Sequence, residues 1–205
     1  MRVMLVVSLS LGAGWYKHKL DREEELQSLQ AAYFSPASAI GDVELIDKNQ
    51  QPFTNKAFYG KWSYVFLGYT HCPDVCPTTL AQLNTFARKA KDAGLNDTQI
   101  VFISVDPLRD DAARLKEYTE YFNSDFLAAT GEHDVLFPFV ANLKLMYGMV
   151  DTLQAKNYSV DHSASIALVN PQGQLQAVFK PEITPGQPPH VNMEKMLEES
   201  LLIIE

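Results

Sequence analysis

The 205-residue chain has only two cysteines, Cys72 and Cys76, four positions apart. That scarcity excludes a disulfide-stapled secreted scaffold, which uses several widely spaced pairs. A bridge between positions this close would close too short a loop to hold a domain together. The pair is therefore read as chemical: a metal site, a redox switch, or both. The bland alternative is two unrelated buried thiols acting as small hydrophobes. The chain also lacks a basic block, and its formal net charge is −8. Nucleic-acid binding needs clustered Lys and Arg to neutralise phosphates, so that class is excluded. Acidity by itself speaks for solubility rather than for metal binding. Internal repeats and low-complexity tracts are absent.

Nor is there a full-length hydrophobic run. Val3 to Tyr16 is apolar but short of the roughly 20 residues that a spanning helix needs. Three readings stay open for residues 1–19. They are an anchor whose true start lies upstream, a short anchor extended by Trp15 and Tyr16 at the interface, or a cleavable signal with Gly12-Ala13-Gly14 at the cut. Each exports the rest of the chain. The expected location is thus the cell membrane, single-pass, with the domain on the outer (periplasmic) side. Lys17, Lys19 and Arg22 follow the apolar run, so charge alone does not set the orientation. A buried soluble helix is the bland reading.

What is present supports one globular domain. Hydrophobic residues make up 46% of the chain, enough for a sizeable core. Residues 20–37 are polar and charged and read as a stalk or linker, broken by Phe34-Ser35-Pro36. From about residue 38 to 205 the pattern alternates between strand and helix. Val43 to Ile46 and Pro52 to Phe58 read as a hairpin turning at Asp47-Lys48-Asn49. Trp62 to Tyr69, Ile100 to Val105, Phe126 to Ala129, Ala164 to Val169 and Leu175 to Phe179 read as strands. Helices are expected over Pro77 to Ala93, Asp110 to Phe122, Glu132 to Tyr147 and Val191 to Leu202. Strands separated by helices predict an α/β sheet covered on both faces.

The two cysteines sit in Tyr69-Thr70-His71-Cys72-Pro73-Asp74-Val75-Cys76-Pro77, between a strong strand and a helix. Ligands gather at the carboxyl ends of strands in such sheets. Pro77 fits the first turn of a helix. A helix N-terminus favours negative charge and raises the thiolate fraction, and thiolate is both nucleophile and metal ligand. Four-residue spacing puts both sulfurs on one side of a turn. Two thiolates leave most metals under-coordinated, so a third ligand is expected from elsewhere. His162, in Val160-Asp161-His162-Ser163 just before a strand, is the best candidate, with Asp161 as a possible orienting neighbour. His18, His133 and His190 read as exposed, and His71 as a packing or hydrogen-bonding residue at the strand end. A donor set of two thiolates and one imidazole suits copper in either oxidation state, and also zinc. Hard ions such as Mg²⁺ and Ca²⁺ prefer oxygen, and structural zinc usually closes four ligands.

A CxxxC string is a weak motif alone. In YTHCPDVCPTTL, ISVDPLRD and VDHSASIALVNPQG together, the chain resembles the Sco/SenC family from about Ser38 to Leu202. The resemblance implies a thioredoxin-like fold with an added N-terminal β-hairpin behind a short apolar anchor. It implies copper, as Cu(I) or Cu(II), held by Cys72, Cys76 and His162. It also implies delivery of that copper to the apo, copper-bearing subunit of cytochrome c oxidase. Another copper chaperone or a thiol–disulfide reductant is the further partner to expect. The alternative function is a thiol–disulfide oxidoreductase using Cys72 and Cys76 on the cysteines of the oxidase copper site. A redox or copper sensor also fits the residues, and a peroxidase-like thiol fits them less well. Whether the protein is an enzyme stays open at this point. The block Ser104 to Asp110 matches the family, but is read as a strand end, an Asp-Pro turn and a helix cap.

Overall fold

The computed structural model describes residues 20–149 and 158–204. The apolar segment within residues 1–19 lies outside the described residues. Among the described residues, no helix is long and apolar enough to cross a membrane.

The chain forms helix α1 (described over residues 20–27), strands β1 (Ala32–Ala39), β2 (Glu44–Asp47), β3 (Pro52–Thr54) and β4 (Trp62–Gly68), and helix α2 (Val75–Asp92). Then come β5 (Thr98–Ser104), α3 (Ala112–Phe122), β6 (Leu127–Thr130), α4 (His133–Asn142), β7 (Tyr147–Met149), β8 (Val160–His162), β9 (Ile166–Val169), β10 (Gln174–Phe179) and α5 (Met193–Ile204). Eight strands make one sheet in the order β1-β10-β9-β4-β5-β6-β2-β3. β4, β5 and β6 run parallel, and the flanking strands antiparallel. The fold is thioredoxin-like, and the β2–β3 hairpin extends the sheet beyond β6. The hairpin turns where expected, because Asp47 Oδ1 accepts from the backbone N–H of Asn49 and Gln51, each at 2.8 Å.

β4 is the spine of the core. Tyr64, Val65, Phe66 and Leu67 have no exposed surface, as a central strand covered on both faces requires. Tyr64, Phe66 and Gly68 alternate onto the face that α2 covers. There the Tyr64 ring meets Phe86 of α2 edge-on, 4.7 Å between centroids. Leu80, Leu83 and Ala90 complete the buried stripe of α2.

Two expectations change. Residues 20–37 are not a free stalk. Leu26 and Ala31 are buried, and the Glu199 carboxylate of α5 accepts from the backbone N–H of Gln30 at 2.7 Å and of Ala31 at 3.2 Å. β1 then pairs antiparallel with β10. It is an edge strand, and its register shifts between Tyr33 and Ser38, around Pro36. Proline is tolerated at such bulges because no ladder N–H is needed there. The helix expected from Glu132 to Tyr147 stops at Asn142. Lys144 turns the chain with φ 58°, and β7 begins three residues later.

Candidate metal centre

β4 ends at Gly68, and six residues separate it from α2. That turn carries Cys72, and Cys76 opens the helix. Its base is fixed by Asp110, whose carboxylate is fully buried. Asp110 accepts from the Thr70 N–H at 2.8 Å, the Thr70 hydroxyl at 2.7 Å and the Ser104 hydroxyl at 2.6 Å. A buried carboxylate costs several kcal/mol unless paired or hydrogen-bonded, and these donors meet that demand.

No side chain caps the N-terminus of α2 at Asp74. The Cys72 sulfur takes that part, accepting from the Cys76 N–H at 3.4 Å. Both thiols are free. Cys76 is fully buried and Cys72 half-buried. The two titrate as a coupled pair. The Cys76 thiol donates to Cys72, and with the backbone N–H groups of Cys76 and Asp74 it outweighs burial, bringing the Cys72 pKa down to about 3. Cys76, facing that thiolate and buried, is pushed far above the ordinary thiol range. One sulfur is a ready anion and the other holds the proton.

His162 arrives on a separate two-stranded ribbon, where β8 pairs with β7 and His162 lies opposite Tyr147. Its Nε2 lies 3.3 Å from the Cys76 sulfur, and its Nδ1 lies 3.2 Å from the Ser163 carbonyl. A carbonyl only accepts, so Nδ1 carries the hydrogen and the Nε2 lone pair faces the sulfurs. Phe66 and Tyr69 meet the imidazole edge-on at 5.8 and 6.2 Å. Sequence reasoning offered Asp161 as the orienting neighbour. Asp161 is exposed, and the Ser163 carbonyl does that work. The structure thus brings Cys72, Cys76 and His162 together, with ligand atoms within 4.8 Å of one another. Cys72 and His162 border an open groove of about 460 Å³, which Val75, Pro181 and Ile183 also line.

His71 lies beside Asp110, with Nδ1 3.7 Å from its Oδ1 and 3.2 Å from the Thr70 hydroxyl. His71, Asp106 and Asp110 also cluster. The two carboxylates there are taken up by Thr70, Ser104, Arg109 and Tyr158, so this group is a hydrogen-bond network, not a second metal site. His133 is half-buried rather than exposed, with Nδ1 2.9 Å from the Tyr147 hydroxyl. Gly68 was missed from sequence. A Cβ built there would lie 2.6 Å from Phe102 Cε2 and 2.9 Å from the Cys76 sulfur. Gly68→Ala is expected to cost about 1–3 kcal/mol in chemical denaturation through overpacking, and to weaken metal binding by displacing Cys76. Wild-type stability together with wild-type affinity would contradict this role.

The SCO1/SenC family model matches residues 32–196. A putative copper-binding protein of Stutzerimonas stutzeri is 34% identical over 157 residues, covering 77% of this chain and 76% of its own. The mitochondrial SCO2 homologue of Mus musculus is 34% identical over 179 residues, covering 84% of this chain and 70% of its own. The crystal structure of Arabidopsis thaliana ScoI with copper bound superposes with a TM-score of 0.68 at 27% identity, covering 80% of this chain and 96% of that one. The chain belongs to the SCO1/SenC family.

Proposed function

We propose that this protein is a copper-binding assembly factor. Cys72, Cys76 and His162 take copper as cargo and pass it to the apo, copper-bearing subunit of cytochrome c oxidase. The observation that carries the reading is the convergence of two sulfurs and the Nε2 of His162 within 4.8 Å. Soft sulfur with imidazole selects copper over hard ions. Three ligands beside an open groove leave room for an incoming ligand, which suits transfer better than storage. We also place the domain outside the membrane, tethered by the apolar N-terminal segment, where an oxidase subunit would meet it. Anaerobic titration of the reduced protein with Cu(I) should show one tight equivalent, lost when both thiols are alkylated. Unchanged binding after alkylation would overturn the reading.

The state of Cys72 favours a second activity of the same pair. Half-buried and brought down to about 3, its sulfur is the accessible nucleophile, with Cys76 behind it as the resolving thiol. The Cys72 thiolate would attack one sulfur of a target disulfide and expel the other as thiolate. Cys76, losing its proton, would then attack the Cys72 sulfur and free the second target thiolate. The pair ends as a disulfide and the target as two thiols. Iodoacetamide at pH 6 should therefore modify Cys72 well before Cys76, as read by peptide mass spectrometry. Equal rates, or Cys76 first, would contradict this assignment.

A further inference from the structure

The ribbon that carries His162 stands outside the main sheet. Two strands of three residues each are not stable alone in water, so the imidazole keeps its place only if the ribbon is held. The chain entering β8 is held by the segment after β5. Asp106 there is 1% exposed. Its Oδ2 accepts from Arg109 Nε at 2.5 Å, and its Oδ1 accepts from the Tyr158 hydroxyl. Arg109 Nη1 donates to the Tyr158 carbonyl at 3.0 Å. The guanidinium carbon also sits 3.6 Å from the centroid of the Tyr158 ring and 5.5 Å from that of Tyr69, the ring that meets His162 edge-on. Asp106, Arg109 and Tyr158 thus close a ring of contacts four residues ahead of His162.

A turn with a helix cap would not need this. The cap of α3 is Asp111, which accepts from the Arg114 N–H at 2.8 Å, leaving the Asp106 side chain for the tertiary contact. A buried ion pair contributes little net stability against apolar packing, and its best-attested use is to fix one arrangement. Arginine suits the task because its planar fork can reach Asp106 and Tyr158 at once and stack on both rings.

We propose that Asp106, Arg109 and Tyr158 are positioning residues that set the His162 ligand atom against the two thiols; this rests on the copper reading above. The test uses the full chain loaded with Cu(II), read by competition affinity and by the imidazole nitrogen couplings in its electron paramagnetic resonance spectrum. Arg109→Met should lower affinity about 10–100-fold, as loss of outer-shell support does, and disturb the nitrogen couplings. Arg109→Lys should restore part of both. Added to His162→Ala, Arg109→Met should cost nothing further, because the clamp acts through the imidazole. A folded Arg109→Met protein with wild-type affinity and couplings, or losses that simply add, would overturn the proposal. If Arg109→Met does not fold, Tyr158→Phe keeps the ring and removes the hydroxyl. A few-fold loss with altered couplings then supports the clamp, and no change overturns it. If His162→Ala itself leaves copper binding unchanged, the copper reading fails rather than the clamp. The clamp is then judged on the metal-free protein, where the His162 ring proton resonances should move in Arg109→Met, and unmoved resonances sink it.

Discussion

Changing His162 to alanine is expected to weaken copper binding more than ~100-fold and to spare the disulfide chemistry, whereas changing Cys76 to serine disables both. The imidazole is one of three converging donors, and its Nε2 faces the sulfurs. Removing a direct ligand should exceed the ~10–100-fold loss that outer-shell changes cost. Thiol–disulfide exchange needs only the two sulfurs and a proton acceptor. Cys76→Ser leaves Cys72 able to form a mixed disulfide but unable to resolve it, so covalent adducts should accumulate. The measurements are copper content after purification, reduction of a disulfide-bonded oxidase-subunit peptide, and oxidase activity in cells. If His162→Ala keeps full oxidase activity in cells while either cysteine change destroys it, disulfide reduction is the main role and copper delivery is not.

The second large effect is on pH. Cys72 is already a thiolate down to about pH 3, while Cys76 holds its proton above the ordinary thiol range. Copper bound by both sulfurs would then displace a proton from Cys76 and none from Cys72. At pH 8, where free imidazole is neutral, binding should release about one thiol proton rather than two. The sign follows: protons compete with the metal, so affinity falls as pH falls. The thiol contribution should be about tenfold per pH unit, steepening only near pH 3 when Cys72 also protonates. Calorimetry in buffers of different ionisation enthalpy counts these protons. Release of two would mean that both thiols start protonated, and the coupled-pair description would be wrong.

The local parts of this site were legible in the sequence. Cys72 and Cys76 announce themselves by lying between a strongly apolar strand and a helix with Pro77 in its first turn, because cap, field and spacing are all local. The β2–β3 hairpin was readable for the same reason, since Asp47 makes its turn with its own neighbours. His162 was readable as a candidate third ligand, and the structure brings its Nε2 to 3.3 Å from the Cys76 sulfur, but the ribbon that delivers it was not readable. What escaped depends on partners far along the chain. β1 shows no alternation in Ala32–Ala39, and it is a strand because β10 pairs with it from more than 130 positions away. Asp106 and Asp110 look like turn acids until Tyr158 and Thr70 are found against them. The end of α4 at Asn142 was hidden because the apolar pattern runs on into β7, and only the left-handed Lys144 breaks it.

The central claim is that one copper ion sits between Cys72, Cys76 and His162. X-ray absorption at the copper edge of the Cu(I)-loaded protein tests it directly. Two sulfur scatterers and one nitrogen scatterer are predicted for the wild type, with the nitrogen lost in His162→Ala and both sulfurs kept. A first shell of nitrogen and oxygen alone, or a shell unchanged by His162→Ala, would contradict it.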